Sequence, residues 1–212
     1  MKLLTNLMPL AYFITFGISC SGQNNNRKKS TYNLHAVELN KLAMKIYSEN
    51  TCNKDSILKS LNLLQQAINL DSSYYSIYGN KAVVYCALKK YVQAINTLKK
   101  ITDTNSEYVE LKTFEGFIYE KMLNPDSSLV IYKESLKQYD KKIKQEYSNV
   151  SLKLNRAFLL FFIEGNEKAK AEYENISSLY PDDPLVKNMR SSFYSFERNL
   201  YINSLFSDCV DN

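Results

Sequence analysis

Residues 75–108 read YSIYGNKAVVYCALKKYVQAINTLKKITDTNSEY, and residues 109–142 read VELKTFEGFIYEKMLNPDSSLVIYKESLKQYDKK. Laid over each other at an offset of 34, they place Ala82 on Gly116, Tyr85 on Tyr119, Ala94 on Ser128, Leu98 on Tyr132 and Ile101 on Ser135. A fixed period of that size marks a helix–turn–helix unit that repeats. Small residues at the first and third positions let two helices approach closely, and large ones at the second and fourth fill the space between them. Strands would need period-2 alternation, which is not found. Only five Gly and four Pro occur in 212 residues, which disfavours turn-rich β folds and favours long helices.

Two further units fit with insertions. Residues 150–183 place Ala157, Leu160, Ala169, Tyr173, Ile176 and Pro181 on the pattern after a seven-residue offset at about 143–149. The first unit has Leu42, Ala43 and Ile46 on its first helix and Leu64, Ala67 and Asp71 at the end of its second. It requires about five extra loop residues near Ser48–Asp55. Asn124-Pro125 and Asp183-Pro184 each set a capping side chain before a first-turn proline, a helix-start signature. Polar turns lie at 71–73 and 103–106, and Gly165-Asn166 turns the fourth pair. Residues 184–206 read as one more helix, and its apolar residues are expected to cover Ala157 to Ile163, which is apolar on all sides.

The positions that repeat are those of the tetratricopeptide family, which the chain resembles over about 35–183. Tyr78 stands where the family carries Trp, Ala82 at its small site and Tyr85 at its aromatic site, while the third unit has Lys112 at the Trp position. The resemblance implies an all-α, right-handed superhelical stack of about four helix pairs plus a C-terminal capping helix, spanning 34–206.

Ahead of the repeats, Lys2 precedes an apolar run from Leu7 to Ile18, the length of a signal-peptide core and short for a spanning helix, which needs about 20 residues. Gly17-Ile18-Ser19-Cys20 resembles a bacterial lipobox, with Gly17 in place of the usual Leu. The resemblance implies a signal peptide over 1–19, lipid attachment at Cys20 and a membrane anchor. Residues 20–33 then form a polar, disordered tether and 207–212 a short tail. Ser21 after the Cys resembles lipoproteins sorted to the outer membrane, so the expected location is the bacterial envelope, facing the periplasm.

Little in the sequence points to catalysis. The only His, His35, opens the first helix as a surface residue, with no second His to share a metal site or a relay. Glycines are scattered singly, so no phosphate-cradling loop exists. Recurring acids such as Glu110, Glu115 and Glu120 read as solvated helix faces. The net charge of +5 comes with lysine pairs at 89–90, 99–100 and 141–142, without a nucleic-acid motif. Cys52 and Cys86 either bridge across adjacent helix pairs or stay unlinked. The chain is thus expected to be no enzyme and to need no cofactor or metal.

The resemblance implies that partners bind in a groove lined by the first helix of each pair. Carried over by position, this names Val37, Asn40, Met44 and Tyr47; then Ser76, Gly79, Asn80, Val83 and Cys86; then Glu110, Thr113, Phe114 and Phe117; and last Ser151, Leu154, Asn155, Phe158 and Phe161. The centre of the expected site is Ser76, Gly79 and Val83 with Phe114 and Phe117, flanked by Asn80 and Glu110 as hydrogen-bonding groups. Phe117 has a competing reading as a core residue. The family's carboxylate clamp is not expected, because Glu110 and Phe114 occupy positions where it needs cations. The expected function is an envelope scaffold that docks a protein or peptide segment, with envelope assembly as its setting and without nucleic acid. The alternative is a periplasmic small-ligand binder or enzyme on the same helices.

Overall fold

The computed structural model describes residues 32–105 and 107–206. The expected signal segment, Cys20, most of the tether and the tail at 207–212 lie outside the described residues. Among those described there are ten helices and no strand: α1 (Leu34–Glu49), α2 (Lys54–Leu70), α3 (Ser76–Ala87), α4 (Tyr91–Thr102), α5 (Val109–Lys121), α6 (Pro125–Gln145), α7 (Val150–Ile163), α8 (Asn166–Leu179), α9 (Pro184–Tyr194) and α10 (Arg198–Leu205). They form two compact units, one of residues 32–105 with 203–206 and one of residues 107–202.

Short polar side chains begin the helices where they were expected, and at further places. Asn124 accepts from the Ser127 N–H ahead of Pro125, and Asp183 accepts from Leu185 and Val186 ahead of Pro184. Asn33, Asn53 and Asn149 cap α1, α2 and α7 in the same way. Each satisfies backbone donors that the first turn leaves without a partner.

In the first unit α1 pairs with α2 and α3 with α4, and α2 packs on α3. Its core joins Ala36 and Ala43 of α1, Ile57, Leu64 and Ala67 of α2, and Ile77, Val84 and Ala87 of α3. The spacing of Ile57, Leu64 and Ala67 keeps one stripe of α2 inward. Of the extra loop expected near Ser48–Asp55, only residues 50–53 lie outside the helices. α1 runs to Glu49 and α2 starts at Lys54, so the insertion lengthens both helices.

The repeat extends to backbone torsions. Lys89 and Leu123, 34 residues apart, both have positive φ, 56° and 57°. The following N–H bonds back identically, Lys90 to the Tyr85 carbonyl (2.9 Å) and Asn124 to the Tyr119 carbonyl (3.0 Å). This is the six-to-one closure of a helix end. A left-handed conformation costs a side chain about 1–2 kcal/mol, and Leu123 is 89% exposed with little packing to lose. Leu123→Gly should therefore stabilise the second unit by about 1 kcal/mol, read as a higher urea midpoint at unchanged slope. Gly165, at φ 91° and ψ −178°, turns α7 into α8 through a region open essentially to glycine.

In the second unit α5 pairs with α6 and α7 with α8, and α6 packs on α7. The seven-residue offset is not a loop. It is two added turns of α6, a 21-residue helix. Seven residues preserve the facing of the helix, so Ser128, Tyr132, Ser135, Tyr139 and Lys142 form one buried stripe.

The C-terminal segment covers α7 as expected, but as two helices. Ser195 ends α9, its N–H and Oγ both bonded to the Ser191 carbonyl (2.9 and 2.8 Å). A continuous helix would point Ile202 about 180° away from Phe193. The break lets Phe193, Phe196, Tyr201 and Ile202 all be buried. Phe196 stacks on Phe161 with ring centroids 4.0 Å apart, and Phe193 lies 5.4 Å from Phe161. Arg198 then fixes α10 to α5, with Nε 2.5 Å and Nη2 3.0 Å from the two Glu120 oxygens, while Tyr132 donates to the same carboxylate at 2.7 Å. This bidentate pair raises the Arg198 pKa further above its ordinary value.

Candidate functional site

The first helices of each unit bring some of the groove residues together. Asn40 of α1 and Asn80 of α3 are buried and joined, the Asn80 amide donating to the Asn40 Oδ1 at 2.8 Å. This single bond between two buried amides helps fix how α1 and α3 meet, and it engages neither the Asn40 NH2 group nor the Asn80 Oδ1. Tyr74, in the turn before α3, also hydrogen-bonds Asn40, and burial raises its phenol pKa. Its ring stacks on Tyr32 at 4.5 Å, and Tyr32 meets Tyr75 edge-on at 6.5 Å.

Val37, Met44 and Tyr47 of α1 and Val83 of α3 are half-buried, while Ser76 and Gly79 are buried. Met44 and Tyr47 pack partly on the core of their unit. What remains accessible is a narrow strip along α1 and α3: apolar edges at Val37, Met44 and Val83 over a floor that contains the asparagine pair. The residues named here are uncharged and suit a surface with hydrogen-bonding groups, with the exposed Lys41 beside Val37 and Met44 on α1.

In the second unit Glu110, Ser151 and Asn155 are half-buried, and Thr113, Phe114, Phe117, Leu154, Phe158 and Phe161 are buried. Phe117 contacts Phe162 at 4.9 Å, Tyr201 at 5.5 Å and Tyr132 at 5.7 Å. Of its two readings, that packing supports the core. The polar feature on this face is one that the repeat pattern did not indicate. Tyr139 reaches in from α6, hydrogen-bonds Thr113 and Asn155, and has its pKa raised by burial and by the neighbouring Glu110 charge. Lys112, at the family's Trp position, is buried and lies 3.5 Å from Glu115 and 3.3 Å from Glu134. An ion pair thus replaces the aromatic ring.

The other chemical candidates resolve simply. Cys86 is a buried free thiol, so it does not bridge to Cys52, and burial pushes its pKa up, away from reactivity. His35 is exposed, with Nδ1 3.6 Å from Glu38. Among the described residues no group of three His, Cys, Asp or Glu side chains is placed to hold a metal ion. No described helix is long and apolar enough to cross a membrane.

No family model matches the chain, and no solved structure matches it. Over 128 residues, 60% of its length, the chain is 24% identical to anaphase-promoting complex subunit 3 of Schizosaccharomyces pombe, a tetratricopeptide-repeat protein. The chain spans 18% of that protein's length. The similarity and the paired helices fit a tetratricopeptide-like repeat protein.

Proposed function

We propose that the chain is a scaffold that holds a segment of another protein on the first-helix face of its repeats, with the α1–α3 strip as a contact surface. The observation that carries this is the Asn40–Asn80 pair set between half-buried Val37, Met44 and Val83. Its amide edges suit a backbone, and its apolar borders suit alternate side chains of a bound segment. The similarity to a subunit of a multi-protein complex supports the same reading.

In a capture assay from detergent-solubilised membranes, Val83→Asp should reduce partner retention about tenfold, equivalent to about 1.4 kcal/mol, with the helical signal preserved. Undiminished capture would remove this strip from the site. Substrate turnover in a hydrolase screen, or thermal stabilisation by a small ligand in the absence of any protein, would favour a binder or enzyme built on the same helices.

The scaffold is proposed to work in the bacterial envelope, lipid-anchored through Cys20 at the outer membrane and facing the periplasm, in assembly of envelope proteins. Support comes from the apolar run at 7–18 that ends at Gly17-Ile18-Ser19-Cys20. Cys20→Ser should abolish lipid attachment and impair processing, and globomycin should make the wild-type precursor accumulate. Normal cleavage in both cases would indicate an ordinary secretory signal.

A further inference from the structure

One helix pair carries basic residues and no acidic ones. Residues 72–102, which hold α3, α4 and their turn, contain Lys81, Lys89, Lys90, Lys99 and Lys100 and no Asp or Glu. The whole sequence has 27 basic and 22 acidic residues, so setting those five lysines aside leaves 22 against 22. Residues 1–37 are also free of acids and add Lys2, Arg27, Lys28 and Lys29, so α3–α4 is one of two basic stretches in the chain and the one that lies among the described helices.

Among the described residues, part of that charge has no counter-ion. Lys81, Lys90 and Lys100 form no ion pair with any described residue. In the second unit Lys112 lies beside Glu115 and Glu134 and Lys142 beside Glu107, while the buried Lys153 is held by Tyr180 at 2.9 Å and by the Tyr147 ring. Lys81 is also held in place. Its Nζ donates to Gln65 Oε1 of α2 at 2.5 Å and lies 5.5 Å over the Tyr85 ring. Burial first, and then the Lys100 charge arriving from α4, lowers its pKa. Lys81 is thus half-buried, held by Gln65 and Tyr85 and within the field of the Lys100 charge, an arrangement in which an anion would relieve repulsion.

We infer that the α3–α4 pair is a docking surface for an acidic protein segment, which lays its carboxylates against Lys81 and Lys100. This rests on the scaffold reading above and gives the chemistry of its partner. A protein fits better than a membrane surface. The exposed face of α4 is Val92, Gln93, Asn96 and Lys100, with one apolar side chain, whereas a helix that lies in a lipid interface needs an apolar face to bury. Gln93 and Asn96 instead offer hydrogen bonds to a second chain. Lys81 shares α3 with the strip and stands about 200° around the helix from Val83, so the two surfaces hold different parts of one partner.

The test is fluorescence polarisation of a labelled oligoglutamate peptide titrated with the full chain, beside oligoglutamine and beside vesicles of phosphatidylglycerol in phosphatidylcholine. Oligoglutamate should bind, oligoglutamine should not, and raising the salt should weaken the binding. The double variant Lys81→Gln/Lys100→Gln should weaken it about tenfold, and the charge-matched Lys54→Gln/Lys59→Gln on α2 by less than about twofold. Equal losses in the two doubles would overturn the inference as a mere net-charge effect. Vesicle binding that exceeds peptide binding and is lost in the first double would overturn it in favour of a membrane. A wild-type chain that captures a protein partner but ignores oligoglutamate would also overturn it, with the scaffold reading intact. Oligoglutamate binding through Lys81 and Lys100, alongside capture that Val83→Asp does not change, would remove the α1–α3 strip and keep this surface.

Discussion

Phe117→Ala should destabilise the second unit by about 3–5 kcal/mol, the cost of deleting a fully packed phenylalanine. The ring is 5% exposed and sits among Phe162, Tyr201 and Tyr132, drawn from α7, α10 and α6. Truncation would leave a hollow that three helices border, and rigid rings do not collapse into it easily. The expected reading is a lower urea midpoint, with any loss of partner capture tracking the unfolded fraction. An unchanged midpoint together with lost capture would return Phe117 to the binding face.

The second large effect is expected at Gly116. A Cβ built there falls on the Tyr132 ring, 2.6 Å from Cδ1, with Ile131 Cγ2 at 3.3 Å. Tyr132 cannot swing aside readily, because it is fully buried and its hydroxyl is bonded to Glu120 at 2.7 Å. Gly116→Leu should therefore cost about 1–3 kcal/mol or more by forcing α5 and α6 apart, and even Gly116→Ala should be measurable. A thermal melt unchanged by Gly116→Leu would show that Gly116 is not the closest approach of this pair.

The same two residues show what was legible in advance. Gly116 is readable because its consequence is local and periodic: a small residue one repeat after Ala82 recurs for a packing reason. Caps at Asn124 and Asp183 are readable for the same reason, since a side chain and a proline next to each other decide them. Phe117 is different. Groove and core positions on a short helix are separated by only about 100° of turn, and an aromatic residue satisfies either face. The burial of Lys112 depends on Glu134, which lies on the following helix and outside any local pattern. Tyr139 lies on the two added turns of α6, where the repeat template has no position for it. The break at Ser195 has no such local mark, because a bond like that of its hydroxyl to the Ser191 carbonyl recurs at Thr97 and Thr113 inside helices that continue.

Scaffold function through the first-helix face is tested most directly by site-specific photo-crosslinking. A photoreactive phenylalanine analogue is placed at Met44 or Val83 on the strip and, for comparison, at Leu58 on the exposed side of α2. Illumination in cells that express the full chain should give a discrete protein adduct from Met44 and Val83 and none from Leu58. Adducts from Leu58 alone, or equal adducts from all three positions, would contradict it.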